Sequence, residues 1–162
     1  MNIFILHPRP ATAAQMLCDK HVVKMIVESA QIMSTVQQGY GAKTHYRATH
    51  AHHPCTLWAA RSAKNYAWLL AHAVAMCHEY THRYKREHAS EQWVTGELHH
   101  LPPGIPNEGL TPFAQAMPEP YRHEDAVIAY RTYYIKDKAH FAKWTNREVP
   151  VWFEYAMPQL GV

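Results

Sequence analysis

Four polar residues in one stretch have spacings that could do chemistry. His21, Lys24, Glu28 and Gln31 follow one another at steps of three, four and three. In a helix they therefore share a face, with Lys20 at its edge. A carboxylate held there among cations can balance a cationic intermediate or move a proton. A solvated helix face with a Lys24–Glu28 pair accounts for the same spacing. A second stretch, His78-Glu79-Tyr80-Thr81-His82, matches the H-E-x-x-H of zinc hydrolases, and His88 falls where the extended motif has its third ligand. On that reading His78, His82 and His88 hold zinc, Glu79 is the base, and Met117 invites comparison with a Met-turn. Against it, Lys85 replaces the motif's turn-forming glycine, and a chain with 14 histidines produces such matches by accident. Cys18 and His21, with His50, His52, His53 and Cys55, offer the nitrogen and sulfur ligands of a structural zinc site. Small buried thiols and a polar histidine loop explain that set as well. In the tail, Trp144, Trp152, Phe153 and Tyr155 sit with Lys143 and Arg147. Interleaved rings and cations can stack on bases and hold phosphates, or the rings can close the core.

These residues need elements to position them. The chain has 162 residues, 48% apolar and 18% charged, which predicts one globular domain spanning 1–162. No apolar run is long enough for a membrane helix. The opening MNIFILHPRP has no cationic region ahead of its apolar residues, unlike a signal peptide. Three cysteines without an export signal point to reduced thiols in a cytoplasm. Net charge is +3 with histidine neutral, which permits a polyanionic partner without demanding one.

Proline is absent from 11–53 and from 55–101, and glycine from 42–95. Such breaker-free stretches predict helices. The first runs from Ala11 to about Gln37 with an apolar face of Val22, Val23, Ile26, Ala30 and Met33. A second runs from about Thr56 to Arg86, with Trp58, Tyr66, Leu69, Ala73, Met76 and Tyr80 as its buried stripe. A short helix over 90–98 and another over 124–143, carrying an exposed Arg131, complete the set. Residues 38–55 and the proline-rich 99–120 read as loops. Strand character is confined to Ile3–Leu6, and one strand is no sheet. The expected fold is an all-α helical bundle with long loops and an aromatic C-terminal tail.

Several segments, in order, resemble the pyrimidine-dimer DNA glycosylases of the phage endonuclease V type. They are the Met-Asn-Ile opening, Asp19-Lys20-His21 followed by Glu28, the aromatic-rich stretch 65–86, His53-Pro54, and the tail Pro150-Val151-Trp152-Phe153-Glu154-Tyr155. The resemblance implies a compact all-α enzyme acting on damaged or modified bases in double-stranded DNA, with no metal or organic cofactor. It implies a Schiff base between the chain's α-amine and C1′, followed by strand nicking as an abasic-site lyase. An α-amine titrates at about 7.7–8.0, so a useful fraction is nucleophilic near neutrality. The bulk of Asn2 is expected to retain Met1, whose amine would be the nucleophile. Glu28 would assist it and His21 would orient sugar or phosphate. Lys20, Lys24, Gln31, Lys43, Arg47, His53, Lys143, Arg147, Trp152 and Tyr155 would meet the DNA. The chain departs from the family where arginines flank the glutamate: Val27 and Gln31 stand there. A same-fold nucleic-acid-binding or base-modifying protein without lyase chemistry is the alternative reading.

Overall fold

The computed structural model describes residues 1–160. Seven α-helices carry the fold: α1 (Pro10–Met16), α2 (Asp19–Gly39), α3 (Pro54–Arg61), α4 (Ala63–Tyr84), α5 (Glu91–Val94), α6 (Ala126–Tyr133) and α7 (Val151–Ala156). Among the described residues there is no strand. None of the helices is long and apolar enough to cross a membrane.

Where one helix is expected, two form at two places, and local chemistry explains each break. At 17–18 the backbone turns extended, and the Asp19 N–H that restarts the helix is taken by the Lys143 carbonyl at 2.7 Å. At Ser62 the backbone is extended (φ −150°, ψ 155°), and the serine side chain accepts from the Asn65 N–H as an N-cap. Asn65 also reaches the Trp58 carbonyl and Thr111, which fastens the joint.

The core sits between α4, α1 and α2. The expected stripe from Trp58 to Tyr80 is buried throughout. On α2 the outcome differs. Val23, placed on the apolar face, is 40% exposed, whereas His21 and Glu28, placed on the polar face, are buried. The reason is Met1–Leu6, which lies against α2 and α6 as a buried irregular segment rather than in a sheet. Ile3, Phe4, Ile5 and Leu6 are at most 3% exposed. Phe4 has φ 59°, a left-handed conformation that costs a bulky residue about 1–3 kcal/mol. It persists because packing holds the ring.

The helix expected over 124–143 is shorter and changes character. After α6 the chain widens into a π-helical turn, Tyr134–Lys138. Such turns recur at functional sites because they re-aim side chains. Arg131, expected exposed, is half-buried: its guanidinium donates to the Leu6 carbonyl and lies over the Trp152 ring.

Candidate active site

Met1, Asn2 and Phe4 from the N-terminal segment, His21, Lys24 and Glu28 from α2, and His53-Pro54 at the start of α3 line an open cleft of about 450 Å³. Its far wall comes from Gln115–Met117, Arg122, Tyr133 and Lys138. Glu28 is the hub. Its Oε2 accepts the Asn2 N–H at 3.0 Å and lies 3.6 Å from the Met1 amine, while Oε1 lies 3.6 Å from Lys24 Nζ. The Asn2 side chain is itself pinned, donating to the Ala116 carbonyl and accepting from Tyr130.

His21 packs flat on Phe4, ring centroids 4.2 Å apart, and its Nδ1 meets the Tyr134 hydroxyl at 2.5 Å. Burial, then the charges of Lys138, Lys24 and Lys20, push its pKa down to about 3, so the ring is neutral. His53 caps α3: its Nδ1 accepts the Cys55 N–H. Burial and the N-terminal charge lower its pKa also. Lys138 Nζ sits over the Tyr133 ring at 4.7 Å. The widened turn permits that i,i+5 contact.

Of the residues singled out by sequence, the fold brings Met1, His21, Lys24, Glu28 and His53 together. Gln31, one turn beyond Glu28, does not line the cleft. Lys20 lies outside it, over the Phe141 ring. Lys43 and Arg47 are exposed on the loop after α2, and Lys143 and Tyr155 are exposed on the C-terminal segment. Arg147 is not a free cation: its guanidinium grips both Glu79 oxygens, at 2.8 and 2.7 Å. Trp152 is half-buried against the core, under Arg131. Arg122, Gln115, Tyr133 and Lys138 are the cleft residues sequence reasoning missed. No motif marks them, and they are far from α2 in the chain.

The zinc arrangements do not assemble. His78 and His82 are exposed on α4, but Glu79 faces inward between Arg83 and Arg147. His88 bonds the Val23 carbonyl. Lys85 takes the left-handed cap conformation that the motif's glycine would supply. Cys18 faces Tyr134, while Cys55 caps off against the N-terminal segment. Among the described residues no group of three or more His, Cys, Asp or Glu is arranged to hold a metal.

The all-α scaffold thus carries a cleft lined by Lys24, Arg122 and Lys138, with the chain's amine 3.6 Å from a carboxylate. The pyrimidine dimer DNA glycosylase family model matches residues 1–92. The chain belongs to that family of DNA-repair glycosylases. The match covers the amine, His21, Glu28 and His53, and ends before Arg122, Tyr133 and Lys138. No curated protein and no solved structure matches the chain.

Proposed function

We propose that the cleft receives a damaged or modified nucleotide of duplex DNA and that the chain's α-amine attacks its C1′. One observation carries this reading: the Met1 amine lies 3.6 Å from Glu28 on the floor of a cleft walled by cations. As the N–C1′ bond forms, the glycosidic bond breaks and the base leaves with its electron pair, protonated from the site. Ring opening gives an iminium at C1′, with its positive charge facing Glu28. Removal of a C2′ proton then expels the 3′ phosphate by β-elimination, and water releases the amine. Glu28, which already accepts the Asn2 N–H and lies 3.6 Å from the Met1 amine, takes up and returns protons. Lys24, Arg122 and Lys138 hold phosphates. The scheme draws on no metal or organic cofactor. Buried thiols at Cys18, Cys55 and Cys77 suit a reducing, cytoplasmic setting.

The test is borohydride trapping on a duplex with one abasic site. A covalent adduct on the N-terminal peptide is expected. Because the Asn2 nitrogen lies nearer Glu28 than the Met1 amine does, the adduct's mass also reports which residue carries the amine. Nicking without a trapped adduct overturns the Schiff-base step.

A further inference from the structure

We infer that Tyr134 is a positioning residue that fixes His21 as a neutral imidazole with its Nε2–H presented to an oxygen acceptor of the bound nucleotide. The inference rests on the DNA-processing reading above.

The hydroxyl of Tyr134 has three neighbours. It accepts the Cys18 N–H at 3.2 Å, and it faces His21 Nδ1 at 2.5 Å and Cys18 Sγ at 3.5 Å. It has one proton to give. A thiol sulfur is a weak acceptor and an imidazole nitrogen a strong one, and the nitrogen is far closer. The proton therefore goes to Nδ1. In a neutral imidazole the hydrogen must then sit on Nε2. Tyr134 is fully buried at the head of the π-helical turn, and burial raises its own pKa well above the ordinary value, so it stays a donor.

The ring is also held in place. Phe4 stacks on it at 16° between planes, and Tyr134 and Phe141 meet it edge-on. Among the described residues no protein group bonds Nε2, and His21 forms part of the cleft wall. The charged groups that bear on the ring are Lys138 on the π-helical turn and Lys24 and Lys20 on α2, and all three oppose a proton on it. His21 thus offers the cleft a donor that is uncharged and held by its ring packing, beside the mobile cations Lys24 and Lys138. His21 lies two turns before Glu28, about 10 Å along the helix axis. Its donor therefore acts away from the bond-forming amine, on the base or on a neighbouring phosphate.

Two measurements on the full chain decide this. First, 15N–1H spectra of 15N-histidine protein, with His21 identified by its loss in His21→Gln, are expected to show a neutral Nε2–H ring that persists at pH 5. Tyr134→Phe is expected to give mixed tautomers of a ring that stays neutral, since burial and the lysines remain. A wild-type ring protonated on Nδ1, or titrating near pH 6.5, overturns the inference. Second, His21→Gln places an amide N–H near Nε2, and His21→Asn places one near Nδ1. His21→Gln is expected to keep KM for a lesion duplex within a few-fold, and His21→Asn to raise it about tenfold. Equal impairment of both overturns the donor role. The loss on His21→Asn is read on base-bearing and abasic duplexes alike. Confined to the former, it assigns a base carbonyl as acceptor; present on both, it assigns a phosphate oxygen. Should the protein bind no duplex, the functional reading and the donor's target fall together, while the spectra on free protein still decide the tautomer.

Discussion

The backbone N–H of Asn2 donates to Glu28 Oε2 at 3.0 Å, joining residues 26 apart in the chain. That contact sets the first residue's amine beside the same oxygen. Replacing Glu28 with Gln keeps the size of the side chain and removes its charge. Borohydride trapping and base release are expected to fall at least about hundredfold. Duplex affinity by anisotropy is expected to hold or rise, since a negative charge leaves a cationic cleft. Unchanged trapping would remove Glu28 from the chemistry.

The cleft cations separate from the structural ones by salt dependence. Lys138→Ala and Arg122→Ala are each expected to weaken duplex binding and to reduce the slope of log K against log salt by about 0.9. Arg147→Ala should leave that slope alone, because Arg147 grips Glu79. A slope that falls with Arg147 would redraw the interface.

Glu79 holds α4 to the C-terminal segment. Burial alone would raise its carboxyl pKa, but hydrogen bonds from Arg147 and Arg83 outweigh it and hold the value below normal. Arg83 also reaches Asp19 and the Gln15 carbonyl. Glu79→Gln leaves a fully buried guanidinium poorly compensated, so urea unfolding should show a loss of about 3–5 kcal/mol. The sign with pH follows: the stabilisation is complete above the unfolded glutamate value, about 4.3, and is lost as pH falls through the folded one. The variant's stability should therefore be flatter below pH 4.5.

His72 is fully buried, packs on Trp68, and has no protein partner for either ring nitrogen among the described residues. Burial takes its pKa down to about 3. Between about pH 6.5 and that value the unfolded chain binds the extra proton, so stability drops as pH is lowered, by up to about 1.4 kcal/mol per unit. His72→Leu is expected to flatten that slope and to gain about 1–3 kcal/mol at pH 5.5. A steeper slope in the variant would place the titration elsewhere.

The H-E-x-x-H match makes a separable prediction. Chelator-treated protein, and His78→Ala with His82→Ala, should retain trapping and base release. Loss of activity restored by zinc would return the metal reading to first place.

The α4 stripe from Tyr66 to Tyr80 was legible in the sequence because an apolar period at helical spacing needs only one partner surface. Asp19-Lys20-His21 and Glu28 were legible as a shared face for the same reason. The breaks at 17–18 and Ser62 were not, because a carbonyl from Lys143 and a brace from Asn65 make them. Nor was Val23 exposed and Glu28 buried: periodicity gives a face but does not say which face the N-terminal segment will cover.

By itself the sequence determined the helical class and the placing of His21 and Glu28 on one helix face, since both follow from local spacing; its segments, in order, also resembled the family whose model matches residues 1–92. Only the tertiary structure decided that Arg122, Tyr133 and Lys138 line the same cleft, that Tyr134 meets His21, and that Arg147 and Glu79 pair away from it. Those contacts join residues about a hundred positions apart, or depend on a single turn widening from α to π geometry. No local pattern of side chains records either.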